Sequence, residues 1–308
     1  MGNSSSQKVM EELEAELAKP EQELVELLTL QDATAKLLCA FCFIFMGARA
    51  AAKAKSGSWV ESLIRTFLTA FGGGTLVPLI LGKPPVFLDS DVLFCMTLLA
   101  WALTHLTPVG RWVEYNQALR LPLNLGGYIF KAVKCCSTVN TAAKVLSASA
   151  LYPIPLMGPI VLGVLGSTGG MFLPFDKGLA AVSKGLSVAF EIPLACSAFF
   201  HIIVNDQSGF LGTTLRQLTG PVTNETAVLA AVGWFAGTYL TKELLDSSFD
   251  PFEASGYTYL FNAVIPARTY CLEEAAAQTA PVGSGRVYEG KVKAHTATEE
   301  DLKKSKAE

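Results

Sequence analysis

Long apolar segments follow one another through most of this chain, each bounded by Gly, Pro or a charged residue. They lie at 33–52, 59–81, 92–107, 121–150, 153–175, 179–204 and 227–245. Because a helix needs about 20 apolar residues to cross a bilayer, the segments predict seven transmembrane helices. Transmembrane strands would alternate apolar and polar residues, which these segments do not do. The predicted fold is therefore an all-α polytopic membrane protein.

The composition agrees with a membrane protein and excludes a water-soluble globule. Hydrophobic residues make up 51% of the 308 residues and charged residues 17%, with a mean hydropathy of +0.38. A net charge of -3 is typical of proteins without a nucleic-acid partner. The cysteines lie mostly in apolar segments, where we expect them to pack as small apolar side chains rather than form disulfides or a zinc site.

The ends of the chain differ from its centre. We predict a polar, acidic segment at 1–32, a seven-helix membrane domain at 33–257 and a disordered tail at 258–308. Lys and Arg are more frequent in the loops after the first, third and fifth segments, which places the C-terminus in the cytosol and the N-terminus opposite. The first six residues, however, match a myristoylation pattern at Gly2, which requires a cytosolic N-terminus. We favour the interpretation that Gly2 is not myristoylated. The alternatives are a hairpin in the acidic segment or an even number of spans.

An internal repeat appears when the chain is shifted by 96 residues. Gly73, Gly74 and Pro78 then fall on Gly169, Gly170 and Pro174. The shift equals three spans, and three is odd, so the second copy must cross the membrane in the opposite sense. We therefore predict two inverted three-helix repeats, at about 33–110 and 120–205, and a seventh helix at 227–245.

The repeated motif combines glycine with a following proline, and both weaken a helix. We expect the second and fifth spans to bend there, and broken backbone inside a membrane is tolerated against protein or water. The alternative is that the glycines only allow two helices to approach closely. Recurrence in both halves favours a pore or hinge role, for which the candidates are Gly72, Gly73, Gly74, Pro78, Gly169, Gly170 and Pro174.

Lys131 and Lys134 lie inside the fourth span and share one helix face. A charge inside a membrane costs on the order of 3 kcal/mol on insertion scales and is usually kept for a partner, water or a function. This face could line a pore, sense voltage or bind a lipid phosphate, or the amines could snorkel to the headgroups. Glu191 is a possible counter-charge.

The chain lacks the residue patterns of an enzyme or a metal site. No Ser, His and Asp set, phosphate loop or metal-ligand cluster is recognisable, so we predict no enzyme and no metal. We also predict no cofactor, apart from the phosphoinositide lipid that the family resemblance described below implies for Lys131 and Lys134. His105 and His201 are equivalent in the two repeats, and we expect both to be hydrogen-bonded rather than metal-bound.

Several motifs resemble the trimeric intracellular cation (TRIC) channels over about 33–257. They are the residues 71–76, with Gly72-Gly73-Gly74, the residues 81–87, with Leu81-Gly82-Lys83-Pro84, the pair Thr107-Pro108, and the residues 247–253. The family's Lys-Glu-Val motif in the fourth helix falls on Lys131-Ala132-Val133. Here Ala132 replaces the acid, and Cys135 stands where the family has a second basic residue.

The resemblance implies a homotrimer with a pore in each subunit. It also implies potassium conduction across the endoplasmic or sarcoplasmic reticulum, as a counter-ion current for calcium release, with membrane lipids and potassium ions as partners. Another intracellular membrane stays open as the location. Two alternatives stay open. One is a secondary transporter of a small solute on the same inverted repeats, and the other is a non-conducting membrane scaffold.

Overall fold

The computed structural model describes residues 22–54, 56–175, 182, 187–245 and 249–252. Its regular structure in those residues is helical throughout, without a strand. Residues 22–28 are helical, and ten α-helices follow. They are α1 (Ala33–Ala52), α2 (Trp59–Ala70), α3 (Gly72–Ile80), α4 (Asp91–His105), α5 (Val109–Tyr115), α6 (Gln117–Val145), α7 (Met157–Thr168), α8 (Val188–Phe200), α9 (Phe210–Thr219) and α10 (Asn224–Leu244). A 3₁₀ turn (Gly169–Met171) follows α7, and a π-helical turn (His201–Asn205) follows α8.

Polar side chains begin the helices at the ends of the apolar segments. The Asp32 carboxylate accepts from the Ala35 amide at 2.6 Å, and the Ser58 hydroxyl accepts from the Glu61 amide at 3.1 Å. Asn116 and Thr223 cap α6 and α10 in the same way. A side-chain oxygen at this position satisfies an amide that has no partner inside the helix, so the caps fix where each span begins.

Each predicted span coincides with a helix or a broken pair of helices. The first span is α1, the third α4 and the seventh α10, with bounds within about three residues. The second span is broken into α2 and α3, which are bent by 66° at Phe71. The break at the glycine motif is thus confirmed, although α3 continues through Pro78 instead of ending there.

The fifth span is shorter than predicted. The fifth span was expected over 153–175, but α7 covers only Met157–Thr168, because Pro153 and Pro155 precede it and Gly169-Gly170 forms a 3₁₀ turn after it. The sixth span, expected from residue 179, is α8 from Val188, and most of 176–186 lies outside the described residues.

The first helices of the two repeats pack antiparallel, as inverted repeats require. Near one end of the pair, the Arg49 Nη1 atom donates to the Asn124 side-chain oxygen at 3.3 Å. Midway, the rings of Phe43 and Phe130 lie 5.4 Å apart. Towards the other end, Lys36 acts electrostatically on Lys134. From the Lys36 end to the Arg49 end, residue numbers rise along α1 and fall along α6, so the two helices are antiparallel.

Two helical stretches, 22–52 and 188–205, are long and apolar enough to cross a membrane unaided. Two bent pairs, α2 with α3 and α4 with α5, raise the number to four if each pair counts as one span. Helix α6 carries Lys131 and Lys134 in its middle, and α7 has only 12 residues. The fold is that of an all-α polytopic membrane protein.

Candidate functional site

A cavity of about 890 Å³ lies between α1, α2, α3, α6 and α7, where the two repeats meet. Most of its lining is apolar, from residues such as Ala40, Phe43 and Met46. The polar part contains three ammonium groups and several hydroxyls, and the described lining includes no carboxylate. The ammonium groups and the hydroxyls nearest the glycine motifs belong to Lys36, Lys131, Lys134, Thr69, Ser167 and Thr168.

The two glycine motifs cross backbone against backbone beside this cavity. A Cβ atom on Gly72 would lie 2.2 Å from the Gly170 nitrogen, and one on Gly73 would lie 2.2 Å from the Gly166 carbonyl oxygen. A Cβ on Gly169 would lie 2.4 Å from the Gly73 nitrogen. Real Cβ atoms do not approach backbone so closely, so this crossing requires glycine.

The glycines of this crossing serve close approach, which is one of the two roles that the sequence leaves open. Gly72 and Gly169 do not line the cavity, whereas Gly73 and Gly170, with the neighbouring Gly74, form part of its wall. The motif prolines lie away from the cavity lining. Pro174 borders a separate shallow pocket against α2.

Backbone and hydroxyl oxygens gather at the crossing. Helices α2 and α7 both end there, and the last carbonyl groups of a helix often lack partners within it, although the Leu165 carbonyl oxygen accepts from the Gly169 amide. The Thr69 carbonyl oxygen faces Gly170, and the carbonyl oxygens of Leu165 and Gly166 face Gly73. The Thr69 hydroxyl is buried and has no hydrogen-bond partner among the residues that the structure describes. Such oxygens can replace part of the hydration shell of a cation.

Lys131 and Lys134 both face the cavity, as their shared helix face predicts. Neither forms an ion pair with a described residue. The Lys131 Nζ atom lies 5.9 Å from the ring centre of Tyr128 and 5.8 Å from that of Phe235. Lys134 instead has Lys36 of α1 as a nearby positive charge.

The structure does not bring Glu191 to these lysines. It lies in the first turn of α8, where the charges that act on it belong to Lys242 and Asp250. Its Oε2 atom is buried without a hydrogen-bond partner in the described part of the chain. The carboxylate therefore belongs to the region where α8 approaches the end of α10.

Charges near the end of α1 form pairs that the sequence alone does not reveal. Arg49, mostly buried, pairs with Glu114 of α5, and Lys53 lies 3.0 Å from the same carboxylate. The Arg120 Nε atom donates to Glu243 of α10 at 2.9 Å. These pairs join the first repeat, α6 and the seventh helix outside the cavity.

The polar residues elsewhere in the described bundle are engaged in structural contacts. His105 Nδ1 lies 3.0 Å from the Thr104 hydroxyl, and His201 Nε2 lies 2.8 Å from the Pro155 carbonyl oxygen, as predicted for hydrogen-bonded histidines. The buried Asp206 carboxylate accepts from the amides of Gly209 and Gly212 at 2.8 and 2.9 Å.

Cysteines and acidic residues do not assemble a metal site in the part of the chain that the structure describes. Cys39 and Cys42 stand at Cys-x-x-Cys spacing on α1, a pattern that the general expectation for the cysteines overlooks, and both are free thiols. Gly126 of α6 packs against Cys42, where a Cβ would lie 3.1 Å from its sulfur. The pair thus contributes to helix packing. Gly2 lies outside the described residues.

With this architecture in view, the chain can be compared with known proteins. A family model described as glycine transporter matches residues 33–108, which correspond to the first predicted repeat. Among curated proteins, none matches this sequence.

Solved structures of TRIC channels match the fold over most of the chain. One, of TRIC counter-ion channels active in calcium release, has a TM-score of 0.51 and 15% identity, and covers 67% of this chain and 92% of its own. A TRIC channel from C. elegans without Ca²⁺ has a TM-score of 0.50 and 18% identity, covering 69% of this chain and 91% of its own. A TRIC channel from C. elegans with bound Ca²⁺ has a TM-score of 0.52 and 15% identity, covering 72% of this chain and 97% of its own. The chain therefore has the TRIC channel fold, as its motifs predict.

Proposed function

We propose that this protein is a potassium-conducting cation channel of an intracellular membrane, supplying counter-ion current during calcium release. The observation that carries the proposal is the crossing of two broken helices, one from each repeat, beside a cavity at the repeat interface. Transport paths in inverted-repeat proteins run where such broken helices meet. Solved channels with this fold are described as counter-ion channels in calcium release.

The cavity supplies both oxygen ligands and fixed positive charge. Carbonyl groups at the ends of α2 and α7, with the Thr69 hydroxyl, offer a partly dehydrated cation a set of oxygens. Lys131 and Lys134 lie on the α6 side of the same space, where their charge raises the barrier to a cation. We infer that these lysines gate the path in response to voltage, with Gly72, Gly73, Gly74, Gly169 and Gly170 as its hinges.

A phosphoinositide headgroup is the ligand that we expect at these lysines. Lys36 adds a third amine to the two expected from the sequence, and the remaining lining is apolar enough to receive acyl chains. A bound phosphate would neutralise positive charge beside the path and so favour cation entry.

The assembly and location belong to the same proposal. We expect a homotrimer with a pore in each protomer, placed in the endoplasmic reticulum with its C-terminus in the cytosol. The support is the fold shared with the trimeric intracellular cation channels of C. elegans. We expect a channel without enzymatic activity, surrounded by lipid.

Single-channel recording of the purified protein in planar bilayers tests the proposal. Under a potassium chloride gradient, discrete currents should reverse near the potassium equilibrium potential. Thr69→Val, which removes the buried hydroxyl with little change of shape, should lower the unitary conductance. Thr214→Val is the matched control, since Thr214 is exposed on α9 and absent from the cavity lining. The absence of single-channel currents at every voltage, with or without phosphoinositide, would contradict the proposal.

A second candidate is a transporter of a small solute, which the match of the first repeat to the glycine transporter family favours. The ammonium groups in the cavity could bind the carboxylate of an amino acid. Counter-flow of labelled glycine in proteoliposomes, without unitary currents, would support the transporter, whereas currents without counter-flow would support the channel.

A further inference from the structure

The ammonium group of Lys131 faces two aromatic rings that belong to different helices. Tyr128 lies one turn earlier on α6, and Phe235 lies on α10. The Nζ atom is 5.9 Å from the first ring centre and 5.8 Å from the second. Within about 6 Å, the electron-rich face of a ring attracts a cation, and the attraction grows where water is excluded. In the described part of the chain, Lys131 has neither a carboxylate nor a hydrogen-bond acceptor as a partner.

The rings are held in place by their own packing. Phe235 is only 2% exposed. Tyr128 stacks on Tyr239, with ring centres 4.8 Å apart and planes 20° from parallel. Tyr239 follows Phe235 by one helical turn, so both project from the same side of α10. Together the three rings join α6 to the seventh helix, whether or not the lysine is charged.

Lys131 also lines the cavity, so its side chain lies between the rings and the open space. Against the rings, the ammonium stays at the wall. If it were released from them, it could extend into the space bordered by Gly73 and Gly170. Because Phe235 belongs to α10, a displacement of this helix would change the balance between the two positions.

We propose that Tyr128 and Phe235 form an aromatic cage that holds the Lys131 ammonium at the cavity wall, which makes the seventh helix a control on the charge beside the path. Phe235 is then a positioning residue, acting through Lys131 on whatever passes or binds. The contact itself is independent of the proposed function, and only its electrical consequence rests on the channel.

Chemical modification of the amine tests the cage without any current. The full chain, purified in lipid nanodiscs, is treated briefly with acetic anhydride, and the acetylation of each lysine is measured by mass spectrometry. With Lys134 as the internal reference, Phe235→Leu should raise the relative rate at Lys131 by about two- to fivefold. Phe235→Tyr keeps a ring face and should retain most of the protection.

Phe199→Leu is the matched control, because Phe199 is a partly exposed phenylalanine on α8 away from the lysines. It should leave the ratio unchanged. An unchanged ratio in Phe235→Leu would overturn the cage, and so would an equal rise in Phe199→Leu.

Recording in planar bilayers tests the consequence for conduction. Fluorinated phenylalanines placed at position 235 weaken the ring's attraction for a cation with little change of shape. The voltage of half-activation should shift progressively with the number of fluorine atoms. A voltage of half-activation that does not change with fluorination would overturn the proposed control by α10. If acetylation responds but no variant conducts, the cage stands and the proposed channel fails.

Discussion

Individual glycines decide whether the two repeats can meet. Alanine at Gly73 would press a methyl group against the carbonyl oxygens of Gly166 and Leu165, which belong to backbone and cannot turn away. Overpacking of this kind usually costs about 1–3 kcal/mol, so Gly73→Ala should lower the unfolding midpoint in detergent markedly. Gly237→Ala is the control, because nothing lies within 4 Å of a Cβ at that position. Since alanine favours helix, it should be neutral or stabilising by up to about 1 kcal/mol. Equal effects of the two substitutions would contradict a backbone crossing at Gly73.

The sequence predicts some residues of the cavity and not others for a physical reason. The glycines and the two lysines on α6 are visible because a repeat or an unfavourable charge sets them apart from their neighbours. Thr69 looks ordinary, since its importance lies in a hydroxyl without a partner after packing. Phe235 is one of many apolar residues, and only the pairing of α6 with α10 brings it to Lys131.

At the scale of elements, apolar length and capping residues predict where helices lie, because both act locally. The break after α2 is equally local, since it coincides with three consecutive glycines. The sequence does not predict the short α5, because the residues that hold it in place are distant in the chain. Its Glu114 accepts hydrogen bonds from Arg49 and Lys53, residues of the α1 end that are distant in the chain.

This attachment of α5, which lies outside the predicted spans, should depend on pH. The Arg49 guanidinium, followed by the Lys53 ammonium, holds the pKa of the Glu114 carboxyl below its usual value of 4.5. A lowered pKa in the folded state adds stability above the unfolded value, and that stability is lost as the pH falls through the folded pKa. Glu114→Gln should therefore destabilise the protein at pH 7, by on the order of 1 kcal/mol or less because the carboxylate is partly exposed.

The measurement is the unfolding midpoint of both proteins between pH 7 and pH 3. The difference between them should shrink below about pH 4.5. Asp89→Asn, which alters an exposed carboxylate in the loop before α4, is the control and should change the midpoint little at any pH. If the unfolding midpoint of Glu114→Gln is still lowered at pH 3, Glu114 acts through its shape rather than its charge.

At the scale of the whole molecule, the antiparallel packing of α1 and α6 separates two groups of positive charge. Arg49, Lys53 and Arg120 lie near one end of the helix pair, and they are paired with Glu114 and Glu243. Lys36 and Lys134 lie towards the other end. Because orientation in a membrane follows Lys and Arg rather than net charge, the acidic partners should not change the predicted topology. The Arg49 end should be cytosolic, and the Lys36 end should face the lumen.

Glycosylation reports this orientation directly, because acceptor sites are modified only in the lumen. An Asn-x-Thr acceptor, carried on a flexible insert, is placed either between Lys83 and Asp89 or between Lys53 and Ser58. After synthesis with microsomes, the first variant should gain a glycan that a glycosidase removes, and the second should not. The reverse result would place the residues before α1 in the cytosol, where Gly2 can be acylated, and would require an even number of spans if the C-terminus is cytosolic as well. It would also turn the three cavity lysines towards the cytosolic leaflet, the side on which phosphoinositides are found. The expected orientation therefore counts against a phosphoinositide at Lys36 and Lys134, and the reverse orientation supports it.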